Sequence, residues 1–108
     1  MAALVENTDF IVTEGRPNGG IKQWVLMTDA TPDAGDTIAL TLANYGISAT
    51  GLLAIKSWKH TTDGSVIATE ANTCAVASGV LTITLIAGTN NDPRVIWFAG
   101  RSKGNVYA

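Results

Sequence analysis

Threonine sets the terms on which this chain can fold. It occurs 14 times, and much of it is interleaved with Ile, Val and Leu. The segment "DTIALTLA", residues 36–43, is the clearest case: Ile38, Leu40 and Leu42 point one way, Thr37, Ala39 and Thr41 the other. Alternation with a period of two marks a strand with one dry face and one mildly polar face. Branching at Cβ suits a pleated surface and crowds the preceding turn of a helix, so this composition works against helix. No window of eleven or more residues repeats apolar side chains at i, i+3, i+4 and i+7, the spacing of an amphipathic helix. Helix is confined to a short turn near 43–50.

Glycine and Asn-Asp punctuation divides the chain roughly every 8 to 14 residues, the spacing of a sandwich or barrel rather than of βαβ units. Strands are expected at 8–13, 21–28, 36–43, 51–60, 65–71, near 73–77, at 80–86 and at 94–100. Asn18-Gly19 and Asp63-Gly64 accept positive φ with little strain and so mark tight hairpins, and Ser78-Gly79 marks a third turn. "DATPDAGD", 29–36, is loop. Residues 1–108 therefore predict one compact all-β domain, an antiparallel β-sandwich or barrel of about seven to nine strands, jelly-roll-like or a meander with hairpins. Segments 1–7 and 102–108 lie outside the main strand series, as an N-terminal arm and a C-terminal tail.

Two strands invite a finer reading. In 51–60, Leu53 and Ile55 are expected to face inward, with Lys56, Trp58 and His60 opposite. "LTITLIAGTNNDPRVIWF", 81–98, joins two apolar runs through a short polar turn. "VIWFA" within it has no polar positions, which predicts a central strand covered on both sides.

Charge narrows the function. Charged residues make up 15% of the chain, against the usual roughly 25%. Less polar cover favours a surface that meets protein rather than water. A net charge of −2 and a pI near 5.1 argue against nucleic acid, whose partners normally carry a basic stripe. The seven cations are scattered; Arg101 and Lys103 beside Arg94 come closest to a patch and read as a solvated end. The single cysteine, Cys74, excludes an internal disulfide and a multi-cysteine zinc site. No apolar span reaches 18 residues, and "MAALVENTDF" lacks a basic n-region and a long h-region. The expectation is no membrane and a product of the cytoplasm.

No side chains assemble an evident chemistry. His60 lacks nucleophile partners at any supportive spacing and reads as a surface residue, and Cys74 reads as a small buried hydrophobe. Asp29, Asp33 and Asp36 offer oxygen ligands for calcium, but not at EF-hand spacing; turn-starting aspartates explain them equally. Asn90, Asn91 and Asp92 are a similar case. No Gly-rich phosphate motif occurs. These readings predict neither enzyme nor cofactor. Of the tryptophans, Trp24 and Trp97 read as core, and Trp58, between Lys56 and His60, as exposed. Three exposed together would make a sugar-stacking platform. The apolar chain ends, "AALV" at 2–5 and "NVYA" at 105–108, can act as arms that add a strand to a neighbour.

The order "GDTIALTLANYGI … GLLAIKSWKHTTDGSVIATEA … SGVLTITLIAGTNNDPRVIWFAG" resembles small structural proteins of tailed bacteriophages, of the head decoration or cement type. The resemblance spans roughly residues 35–100 and rests on strand and turn pattern. It implies a virion protein on the capsid surface, made in the host cytoplasm, whose partners are the major capsid protein and its own copies, with a trimer as first choice. Contact residues expected on these grounds are Leu4, Val5, Trp58, Val106 and Tyr107. The rival reading is a carbohydrate- or host-surface-binding module of a phage fibre or other surface assembly.

Overall fold

In the computed structural model, residues 3–15, 21–29, 32–60, 66–70, 72–85 and 92–102 are described. They form β1 (Phe10–Glu14), β2 (Ile21–Thr28), β3 (Thr37–Thr41), a 3-10 turn (Leu42–Tyr45), β4 (Ile47–His60), β5 (Ile67–Glu70), β6 (Asn72–Ala77), β7 (Val80–Leu85) and β8 (Arg94–Ser102). The strands build two antiparallel sheets, one of five strands in the order β1-β2-β8-β4-β5 and one of three in the order β3-β7-β6. The molecule is an all-β sandwich.

Three sequence-adjacent pairs, β1–β2, β4–β5 and β6–β7, zip antiparallel. The first two turns lie outside the described residues. The third shows why Ser78-Gly79 turns the chain: both residues take positive φ, 52° and 77°, as the turn that matches the twist of a two-residue hairpin demands. The 3-10 turn ends on Gly46, whose φ of 72° lets its N–H cap the turn by bonding back to the carbonyls of Leu42 and Ala43.

The alternation of β3 and β7 does what it promises. Ile38 and Leu40 pair with Ile83 and Leu81, and all four are out of water. They meet Leu26, Ile96 and Phe98 from the larger sheet in a core closed at one end by Leu42, Tyr45 and Ile47. Each such side chain contributes about 1.5–3 kcal/mol by leaving water. Tyr45 stands edge-on to both Trp24 and Phe98, with ring centroids 5.1 and 5.9 Å away. The Trp24 indole N–H donates to the Tyr45 carbonyl at 2.9 Å.

The apolar runs 81–85 and 94–98 are consecutive in the chain and sit in different sheets, because β8 inserts between β2 and β4. Three expectations are corrected. Leu53 points to solvent, 47% exposed, while Leu52 and Ile55 pack on the core. The cause is a register shift against β8 between Leu52 and Ala54, and one extra residue reverses which side chains face inward. Strand β8 is central, but only its Ile96 and Phe98 side is buried in the core; Val95 and Trp97 lie half-buried on the outer face. Arg94 is no solvated end: it is wholly buried.

Candidate functional site

The two sheets present very different outer faces to their surroundings. On the three-stranded sheet the outward rows read Thr37–Thr84–Thr73, Ala39–Thr82–Ala75 and Thr41–Val80–Ala77 across β3, β7 and β6. Small side chains and hydroxyls of this kind sit comfortably in water.

The five-stranded sheet is the opposite. Direct cross-strand neighbours point to the same side, so the ladder pairings define its outer rows. One runs Ile11–Met27–Val95–Trp58–Thr69 and the next Thr13–Val25–Trp97–Lys56. His60 pairs with Ile67 beyond them. Ile11, Met27 and Ile67 are 48%, 43% and 61% exposed, and Val25, Val95, Trp58 and Trp97 are half-buried. An apolar stripe crossing five strands, uncovered by any other described element, is the molecule's candidate docking surface.

Polar groups fix its two large rings. The Trp97 indole N–H donates to Gln23 Oε1 at 3.3 Å. The Lys56 ammonium sits 5.8 Å from the centre of the Trp58 ring, an arrangement that favours a cation over the ring's negative face. Trp58 and Trp97 are diagonal neighbours on β4 and β8, since Trp58 pairs with Val95 and Lys56 with Trp97. The sequence placed Trp97 in the core. The structure turns it outward beside Trp58, and only Trp24 packs on the core. Residue-by-residue parity from Arg94, had that residue been recognised as inward-facing, would have revealed this.

The N-terminal segment lies along the edge of the smaller sheet. Ala3 bridges Thr37, and the Leu4 N–H donates to the Thr37 carbonyl at 2.8 Å. Leu4 packs against the protein's own core, and Val5 is 56% exposed. Glu6 accepts a 2.6 Å hydrogen bond from the Tyr45 hydroxyl. Burial, reinforced by the Glu6 carboxylate, pushes the Tyr45 hydroxyl pKa well above its ordinary value. Val106 and Tyr107 lie outside the described residues.

The other candidates have structural employment. Asp36 is buried, and its carboxylate accepts from the Asp33 N–H at 2.9 Å, closing the loop before β3. Asn90 and Asn91 lie outside the described residues, while the Asp92 carbonyl accepts from Arg94. Cys74 packs against the core, and burial pushes its thiol pKa up. His60 is half-buried on the outer face. Among the described residues no group of three or more His, Cys, Asp or Glu side chains is gathered to hold a metal ion, and no helix is long and apolar enough to cross a membrane.

A cavity of about 210 Å³ opens between the sheet edges, lined by Ile55, Ser57, Thr69, Glu70, Asn72 and Cys74 among others. The Asn72 amide is buried there with no hydrogen-bond partner among the described residues. Ordered water is what such a polar recess ordinarily holds.

Comparison with protein-family models, with curated proteins and with solved structures returned no significant match.

Proposed function

We propose that this chain is a non-enzymatic structural virion protein that binds the outside of an assembled bacteriophage capsid and stabilises it. The observation that supports this reading is the inequality of the two outer faces. One is a water-compatible threonine and alanine lattice; the other is an apolar stripe, Ile11–Met27–Val95–Trp58, left open across the four strands β1, β2, β8 and β4. A sandwich with one such face is built to be covered by something else. A protein that binds the assembled lattice and not its separated subunits stabilises the shell by mass action, each copy adding to the effect. A trimer would complement a local three-fold axis of the lattice. The test is to mix purified protein with expanded shells that lack it, sediment them, and weigh the free protein by light scattering. Saturable co-sedimentation at a fixed copy number per shell supports the proposal, and absence of binding to any shell removes it.

One observation favours the second reading, a glycan- or host-surface-binding module: Trp58 and Trp97 share the outer face on adjacent strands. Stacked sugar rings need such aromatic platforms. Retention of the protein on an array of bacterial polysaccharides, lost on Trp58→Ala, would establish it.

A further inference from the structure

Charge is segregated on this molecule. At the paired strand positions of the five-stranded sheet, the described outward side chains include Lys56 and His60 but no Asp or Glu. The carboxylates that border the face, Asp9 and Asp29, sit at its β1–β2 edge beside Ile11 and Met27. The described carboxylates lie in the N-terminal segment, in loops, at the end of β1, or buried at Glu70, although the chain as a whole carries more acid than base. We infer that this face docks onto a protein surface that is apolar at its centre and offers a carboxylate to Lys56, leaving the threonine face of the smaller sheet outermost. The inference rests on the capsid reading above and gives it an orientation and a partner chemistry.

Three features favour this occupant. The centre of the face is aliphatic and aromatic, with Met27, Val95 and Trp58 as consecutive cross-strand neighbours; such a centre gains by excluding water against another apolar surface. Lys56 is held over Trp58 at 5.8 Å, so its ammonium stays at the edge of the apolar rows, where a facing carboxylate is drawn to it. A second copy offers described carboxylates only at the β1–β2 edge of the face, where Asp9 and Asp29 lie beside Ile11 and Met27, two strands away from Lys56 on β4. The oligomeric state of the free protein separates it from this occupant. A glycan fits less well than protein, because Ile11, Val25, Met27, Val95 and Ile67 surround the rings with groups that cannot bond hydroxyls.

The experiment uses the full chain and shells lacking it. Met27→Asp places a charge at the apolar centre, Lys56→Glu reverses the cation, and Thr82→Asp puts the same kind of charge on the threonine face as a control. Circular dichroism checks that each is folded. Both face variants should bind shells at least about tenfold more weakly than wild type, and Thr82→Asp within about twofold. Wild-type binding should weaken from about 0.05 to about 0.5 M NaCl, as a screened ion pair requires. Failure of the wild type to bind shells overturns the capsid reading and this inference together. If the wild type binds and either Met27→Asp or Lys56→Glu binds equally well, the inference alone is overturned. Equal loss in Thr82→Asp overturns it too, as the wrong face. So does a free oligomer that Met27→Asp converts to monomer, which would show a second copy covering the face. Retention of wild type but not Trp58→Ala on a polysaccharide array transfers the face to a glycan and also overturns it.

Discussion

The Arg94 guanidinium lies 3.2 Å from the Glu70 carboxylate, and neither side chain is exposed to water at all. The guanidinium also donates to the carbonyls of Pro32 and Asp92 at 2.7 and 2.8 Å. The Arg94 backbone N–H donates to Thr28 Oγ1 at 2.8 Å. The guanidinium thus ties β5 and the loop before β3 to the start of β8, and the backbone of the same residue ties in the end of β2. Removing one partner of a buried pair strands the other charge without solvent, at a cost of about 3–5 kcal/mol, whereas replacing both with apolar groups can be nearly neutral. Urea unfolding should therefore show a large loss for Arg94→Met or Glu70→Gln, and partial recovery in the Arg94→Met, Glu70→Leu double variant.

Lys22 and Glu14 form the contrasting case. Their 2.9 Å contact is the same chemistry, but the side chains are 33% and 40% exposed. Solvent and salt already screen such a pair, so Glu14→Gln should change unfolding free energy by less than about 1 kcal/mol. A larger change would mean that the end of the β1–β2 hairpin depends on this contact.

Gly100 leaves no room for a side chain. A Cβ there would stand 2.6 Å from Ile47 Cγ2 and 2.9 Å from the Gly51 carbonyl oxygen. Gly100→Ala should destabilise by about 1–3 kcal/mol, the usual cost of overpacking. Adding Ile47→Ala should not restore stability, because the Gly51 backbone remains in the way and a core side chain is lost. Thermal unfolding of the single and double variants checks both statements.

Tyr45 gives the protein an alkaline limit. Its hydroxyl is buried against Glu6, so its pKa in the folded state is raised above the ordinary value of 10.0. The neutral form is the one the fold favours. The stabilisation is therefore fully present below about pH 10 and is lost as pH climbs above it, where the unfolded chain releases a proton that the folded one keeps. Stability of the wild type should fall more steeply above pH 10 than that of Tyr45→Phe, which titrates nothing at this site. Parallel slopes would mean that Tyr45 ionises as freely folded as unfolded.

The strands were legible where alternation was clean. The span 21–28 matches β2 to the residue, and Ile38, Leu40, Leu81, Ile83 and Leu85 are all buried as their spacing requires. Leu53 was misread because alternation says nothing of a register shift, which depends on what the strand pairs with. Trp97 was misread for a related reason: an unbroken apolar run reads the same whether its second face is covered by the protein or left open. Arg94 was unreadable because its partner is 24 positions away, and a lone cation carries no mark of burial. The docking surface was legible only as a shortage of charge; its location needed the pairing of β1, β2, β8, β4 and β5.

The place of β8 between β2 and β4 has a consequence for how the protein comes into being. On the ribosome, the first ninety-odd residues can form hairpins, yet the larger sheet stays split in two until residues 94–102 emerge. Before then, the inner sides of β2 and β4 have no strand to zip against, and nascent chains stalled short of β8 should be sticky and protease-sensitive. With its keystone arriving so late and closing contacts across most of the chain, folding should be slow for a domain of this size.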